Sequence, residues 1–506
     1  MKNTLLLLLL LYGGGLMAQP LELPSLWHAS AEAQGVLTTK DNVPFWMRSN
    51  QWGSVPLPGA SGSLIGSVRK DYNDGPRTAN ERDIERGLRN IRDFDNDRRG
   101  VDWGMGLEVR GDLGAQSRAR IIEAYLKVRW SIFQLRAGRY RQITGLVDST
   151  LSSGSFTVSG NALPIPSIEG SIPDWWSLPV FNGLFAIKGN FSHGWLGNQA
   201  VQDSTLIRYY PTYFHQSSLY GRLGRPDWAF KLYAGFSHEA FWGSEKAHDP
   251  KFGLSPWKTF QYVALGKTYR GSKIGNHLGS IDIGGEYETG NVRIFLYHQF
   301  FYDVGALAHL ANLNDGLTGL SLTNKQEDDG YFHWNKIVFE LFYSKDQAGY
   351  PWSKRTPSGD EDYYNNFLYA DGWSYKGQGL GNPFITPAYT TRTGLPKQPA
   401  DYFNNNRVVA LYAAFDCSFG DYGLTTRWSW SQNFGTFGTS PWGYSTGSRF
   451  VPPRFGLFPQ SNQVSGYLEL TRTFSDGWRA GVAGGLDNGR LFNNSAGFIL
   501  KLSKSI

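Results

Sequence analysis

Residues 217–243 read SSLYGRLGRPDWAFKLYAGFSHEAFWG. From Trp228 the pattern has a period of two. Trp228, Phe230, Leu232, Ala234 and Phe236 are apolar, and Ala229, Lys231, Tyr233, Gly235 and Ser237 between them are small, polar or amphipathic. That is the signature of a strand with one dry face and one wet face. Residues 218–223 alternate as well, and Gly224-Arg225-Pro226-Asp227 joins the two runs with the φ freedom of glycine and the fixed φ of proline, so the stretch is a hairpin. Two solvents produce such a pattern. In a soluble sandwich the apolar face meets a second sheet; in an outer-membrane barrel it meets lipid and the polar face lines the lumen.

Composition chooses between them. The chain has 506 residues, 61 Gly, 15% aromatic and 18% charged residues, one Cys and a mean hydropathy of -0.37. Past the N-terminus no apolar run approaches the roughly 20 residues of a spanning helix, which excludes a helical membrane bundle. A barrel hides its membrane signal in alternation, and glycine with aromatic residues suits strands, turns and interfacial girdles. Such a length is large for one sandwich and ordinary for a barrel of 16 to 18 strands. Lys2 precedes an apolar core at residues 5–11, and Leu16-Met17-Ala18 ends on a small residue before Gln19. Residues 1–18 therefore read as a cleaved secretory signal that sends the chain to the outer membrane of a Gram-negative cell. Cys417 has no partner for an intrachain disulfide and reads as a packing residue.

The alternation recurs along the chain. A first strand is expected at 27–37. Trp103, Met105, Leu107 and Val109 oppose Asp102, Gly104, Gly106, Glu108 and Arg110; Ile122, Ala124, Leu126, Val128 and Trp130 oppose Ile121, Glu123, Tyr125, Lys127 and Arg129. Charge stays on one side. A Lys or Arg facing lipid at the mid-bilayer costs about 2–4 kcal/mol, so Glu108, Arg110, Glu123, Lys127 and Arg129, and later Asp282, Glu286, Arg293 and Glu340, must point inward as ion-paired lumen residues. Runs at 407–416, 422–430, 463–474, 479–486 and 496–503 carry the pattern to the C-terminus. The last strand is then free to pair with the first and close the sheet. The expectation is one domain over 19–506, an all-β transmembrane antiparallel barrel of about 18 strands, 16 at the low end. Residues 69–100, dense in mixed charge, form a loop or plug element with a short helix near 83–90. Asp93, Asp95, Asp97 and Gly100 lack the Glu that closes a calcium loop, Gly104 standing at that position, so no metal is expected.

Long connections between the strands are rich in rings. Pro173-Asp174-Trp175-Trp176, the stretch 242–257, Tyr350-Pro351-Trp352, Tyr363-Tyr364, Gly372-Trp373-Ser374-Tyr375-Lys376 and Pro441-Trp442-Gly443-Tyr444 set aromatic faces among Asn, Gly and Lys. Such faces stack on sugar rings, and equally on membrane interfaces and on one another. The candidate carbohydrate-binding residues are Trp175, Trp176, Trp242, Trp257, Trp352, Tyr363, Trp373 and Tyr375, with Arg270, Arg355 and Lys376 to pair with acidic substituents. A formal charge of +6 favours an acidic polymer.

The motifs SGNALPIP at 159–166, GLFAIKG at 183–189 with HGWLG at 193–197, and HQSSLYGR at 215–222 resemble the Wzi-like capsule assembly proteins in their Bacteroides-type form. Pro44-Phe45-Trp46, GWSYKG at 372–377 and GNPFI at 381–385 look like that family too. The resemblance implies a lectin-like, non-enzymatic outer-membrane barrel without cofactor. Its expected partners are acidic capsular polysaccharide held at the cell surface, outer-membrane lipid and the capsule export machinery, with no nucleic acid. The alternatives are a porin or sugar-uptake channel, which shares the alternation and the lumen charges, and, third, a hydrolase. His193, His215, His238, His298, His309 and His333 are present, yet neither HExxH nor GxSxG occurs.

Overall fold

The computed structural model describes residues 26–506 apart from 41, 74–99, 115, 204–205, 304, 327–329, 351–358 and 447–448. The signal segment, the calcium-like run and the expected helix near 83–90 lie outside the described residues.

Alternating sequence becomes eighteen antiparallel strands. These are β1 (Trp27–Thr38), β2 (Ser61–Lys70), β3 (Val101–Gly114), β4 (Arg118–Trp130), β5 (Phe133–Arg139) and β6 (Ser167–Ser177). Next come β7 (Phe185–Asp203), β8 (Leu206–Leu223), β9 (Phe230–Trp242), β10 (Asn276–Glu288), β11 (Val292–Tyr302) and β12 (Gly316–Asn324). The last six are β13 (Phe332–Tyr343), β14 (Val408–Phe419), β15 (Tyr422–Asn433), β16 (Ser461–Thr473), β17 (Trp478–Gly489) and β18 (Ser495–Ser505). Each pairs with its neighbours in sequence, and β1 pairs with β18 from Ser30↔Ser505 to Thr38↔Gly497, so the 18-stranded sheet is closed. Closure leaves no edge in the hydrocarbon.

The quoted hairpin is β8–β9, with β9 beginning at Phe230 rather than Trp228. Phe230, Leu232 and Phe236 are 52%, 43% and 44% exposed on the outer face, while Lys231 between them is 6% exposed and bonds inward to Glu286 at 3.1 Å. From Trp228 to His238, at about 3.4 Å per residue and a tilt near 40°, the strand climbs about 26 Å, which matches the apolar band of an outer-membrane barrel. One stretch departs from simple alternation. A register shift opposite Glu108/Val109 turns β4 by one residue, so Ile121 is the lipid-facing side chain at 49% exposure and Ile122, expected outside, is buried at 1%.

Connections from even to odd strands are short apart from 71–100, and both described termini lie at that end. Those from odd to even strands include the long stretches 39–60, 140–166, 243–275, 344–407 and 434–460. Short turns belong to the periplasmic side and long loops to the outside. The chain is thus an outer-membrane-type barrel whose long connections, 71–100 apart, are extracellular.

Candidate functional site

The lumen is filled by three of those extracellular connections. In 39–60 the one-turn helix Phe45–Arg48 buries Phe45, Trp46 and Met47 against the wall. Phe45 N donates to Asp487 Oδ2 on β17 at 2.9 Å, and Trp46 Nε1 donates to Ser429 Oγ on β15 at 2.9 Å. Met47 reaches the wall because Gly485 and Gly497 leave it room; a Cβ on either would lie within 2.7 Å of the thioether chain.

The 140–166 segment hangs from wall carboxylates. Leu146 N donates to Asp282 Oδ2 on β10 at 2.7 Å, and Glu340 on β13 accepts from Ser153 N at 2.7 Å and Ser152 Oγ at 2.6 Å. Tyr412 OH on β14 donates to Leu151 O at 2.6 Å, and Lys336 pairs with Asp148 at 2.9 Å. Phe156 lies flat on the wall's Phe301, centroids 4.0 Å apart.

The 344–407 connection caps both. Trp373 stacks on Phe241 of β9 at 4.2 Å and donates through Nε1 to Thr157 O at 2.8 Å. Tyr363 OH donates to Asp315 Oδ2 at 2.8 Å. Residues 368 and 370 also join the outer extension of β7 through Gln202 N→Leu368 O and Ala370 N→Ala200 O. Trp46, Phe156, Tyr363, Tyr364, Tyr369, Trp373 and Phe403 are all essentially inaccessible to water. At about 1.5–3 kcal/mol per buried large side chain this is a folded core, and no loosely hinged lid.

Beneath the seal the wall stays wet and charged. Glu32, Glu286, Lys336, Arg427, Glu469 and Lys501 are part-exposed, several in pairs such as Lys501–Glu469 at 2.7 Å. Among the described residues one sector is rich in cations: Arg110, Arg118, Arg120, Lys127, Arg129, Arg136, Arg139 and Arg141 outnumber Asp102, Glu108, Asp112, Glu123 and Glu169. Asp112 is shared between Arg110 at 2.8 Å and Arg118 at 3.0 Å, and Arg136 pairs with Glu169 at 2.9 Å. These arginines also grip the seal. Arg118 Nη2 donates to Ser54 O at 2.8 Å, Arg120 donates to Gly53 O, and Arg139 Nη2 donates to Tyr375 OH at 3.3 Å. Beside them a cavity of about 20 Å³, room for a single water, lies between Trp52, Tyr140, Gln142, Val158 and Leu163.

The structure scatters the residues singled out from sequence. Trp175 belongs to β6, not to a loop, and faces inward near the periplasmic end, packed on Tyr233 with Lys188 above its ring at 4.9 Å. Trp176 is in the same strand beyond a register irregularity. Tyr363, Trp373 and Tyr375 are buried in the seal, with no ring face open to a ligand; Lys376 beside them is exposed. Trp242 is buried on the outer side of the wall, and Trp257 and Arg270 lie exposed in the 243–275 connection. Trp352 and Arg355 lie outside the described residues.

Sequence reasoning missed the carboxylates that hold the seal, Asp282, Glu340 and Asp487. The expectation of lumen ion pairs at Asp282 and Glu340 gives way to backbone, hydroxyl and amide partners that no local pattern announces. Three of the histidines, His193, His215 and His238, gather with His277 on the outer face of β7–β10. His298 lies elsewhere on that face, bonded to Thr318 at 2.7 Å.

No family model and no curated protein matches the chain. Among solved structures it is similar to Pseudomonas aeruginosa OccK11 (OpdR), with 10% identity, a TM-score of 0.43 and coverage of 95% of this chain and 96% of that one. Acinetobacter baumannii OccAB4 gives 8% identity and a TM-score of 0.43, over 95% and 97% of the two chains. Pseudomonas aeruginosa OprD gives 7% identity and a TM-score of 0.43, over 95% and 94%.

Proposed function

We propose that this barrel is a channel of the porin class held shut by its own extracellular loops, opening along the β3–β5 wall to admit small anionic solutes. The supporting observation is the basic sector itself. Its arginines, part-exposed or exposed apart from the buried Arg110 and Arg129, run up to the seam where residues 51–55 meet the wall, so an anion drawn in would exchange with the loop carbonyls for the same donors. Planar-bilayer recordings should show a mostly closed wild type with rare openings that favour anions. The double variant Arg118→Gln/Arg120→Gln should open several times more often, because Gly53 and Ser54 lose their clamps, and should lose its anion preference in a salt gradient. Persistent closure of both proteins would sink the channel reading.

A second reading, retention of acidic surface polysaccharide, draws on the resemblance to Wzi-like proteins and on one exposed feature. Tyr350 and Trp442 stack at 4.9 Å and 10°, 61% and 55% exposed on the outside, a flat platform of the kind sugar rings occupy. Deleting the gene and comparing cell-attached with shed capsule tests it. Unchanged retention removes this reading and leaves the first untouched.

A further inference from the structure

The 243–275 connection does not enter the lumen. It folds back over the outside of the barrel. Helix Pro256–Ala264 starts at Ser255, whose hydroxyl accepts from Lys258 N at 3.4 Å. Phe260 packs on Phe191, His193, His215 and Trp242, all outward-pointing side chains of β7, β8 and β9, and Val263 joins Ala240, Trp242 and Ile274 in a small core separate from the one in the lumen. The cover has a physical reason. His215, His238 and His277 are polar groups on the face that elsewhere meets hydrocarbon; His238 Nε2 lies 2.8 Å from His277 Nδ1, and His277 Nε2 lies 2.6 Å from Ile274 O. They stand at the upper limit of the apolar band, directly above Phe236 and Leu219. The strap therefore rests at the interface between hydrocarbon and headgroups.

Its free side has the composition of that interface. Trp257 is 66% and Leu265 65% exposed at the two ends of the helix, and Trp257 stacks on Phe260, which packs on the exposed Phe191 of the wall. Lys246, Lys251, Lys258 and Lys267 are exposed, and among the described residues none of them pairs with a carboxylate. Arg270 meets Asp249 at 3.4 Å in the open. An apolar side continuous with the lipid-facing wall, edged by unneutralised ammonium groups, is complementary to an anionic lipid whose acyl chains lie along the wall and whose phosphates reach the rim.

We propose that the strap is a binding site for a phosphorylated lipid of the outer leaflet: Lys251, Lys258 and Lys267 hold its phosphates, and Trp257 and Leu265 pack on its acyl chains. The site is independent of whether the lumen conducts. The test uses the full-length barrel in an uncharged detergent, titrated with diphosphorylated lipid A and with the same lipid stripped of phosphate, and bound lipid is counted by native mass spectrometry. Wild type should retain the phosphorylated form and bind the stripped form far more weakly. At about fivefold per lysine near a headgroup, Lys251→Gln/Lys258→Gln/Lys267→Gln should weaken binding on the order of a hundredfold. Heat-modifiable gel migration should be unchanged, since among the described residues these ammonium groups pair with no carboxylate. Trp257→Ala should weaken both lipid forms. Equal binding of the two lipid forms by wild type overturns the proposal without reference to any variant. So does a triple variant that binds like wild type, or displacement of the lipid by millimolar inorganic phosphate, which marks a simple anion site.

Discussion

Glu340 shows how a wall residue can hold a loop. It accepts from the part-buried Ser152 Oγ and from the buried Ser153 N and, at 2.5 Å, Tyr297 OH. Glu340→Ala would leave the Ser153 amide and the Tyr297 hydroxyl without partners, at about 1–3 kcal/mol for each buried group left unsatisfied. Amide exchange across 146–158 should accelerate at least about tenfold while the barrel stays folded; unchanged exchange would mean the carboxylate is not what pins the segment. Leu232 makes the opposite case on the outer face. Leu232→Phe should be mild, and Leu232→Arg should cost about 2–4 kcal/mol near mid-bilayer. Heat-modifiable migration and protease resistance report the difference, and an arginine variant as stable as wild type would move this face out of the lipid.

Among the elements, the 344–407 connection buries Glu361, Asp401 and Arg407. Burial pushes the Asp401 carboxyl up to about 8, and the neighbouring Asp362 adds to the rise against hydrogen bonds from Thr436 Oγ1 and Gln398 Nε2, both 3.3 Å. Burial also raises Asp360 and Asp346 above the ordinary carboxylate range. An unfolded aspartate titrates near 4. The folded loop thus keeps a proton that the unfolded chain releases between about pH 4 and pH 8. That stabilisation is complete below pH 4 and is lost as the pH rises through about 8. Limited proteolysis of the connection should accelerate across this window, and Asp401→Asn should flatten the dependence. A wild-type profile flat from pH 4 to 8 would contradict it. Trp373→Ala, which empties the space between Phe241 and Thr157, should destabilise the same connection by about 3–5 kcal/mol at any pH.

For the whole molecule, closure is the condition of existence in a membrane. Ala29 and Ile506 exchange backbone hydrogen bonds of 3.0 and 2.9 Å at the seam of β1 and β18. Removing residues 495–506 would expose two unpaired strand edges to hydrocarbon, so the truncated chain should give no heat-modifiable band and should be degraded before insertion. The closed wall gives the loops two surfaces to pack on, the inside of the lumen and the outer rim. This chain uses both: 39–60, 140–166 and 344–407 inside, 243–275 outside.

The sequence by itself determined the wall. Alternation with charge confined to one side is a local property, because each strand residue meets one of two solvents and a single Lys231 or Glu286 on the wrong face is prohibitive. It therefore showed the period, the inward face, a count of about 18 strands with 16 at the low end, and the closing pair. A local irregularity escaped it at Ile121 and Ile122, where a bulge set by the partner strand reverses the faces. Only the tertiary structure decided where the rings of the long connections lie. An aromatic side chain gains equally from a sugar, a membrane interface or a packed interior, so Tyr363, Trp373 and Tyr375 carry the same local signal as Trp257. The first three are sealed in the lumen and the last stands exposed on the outer rim. Lumen width, strand register and the carboxylates waiting on distant strands made that choice, and none of them is written near the rings it places.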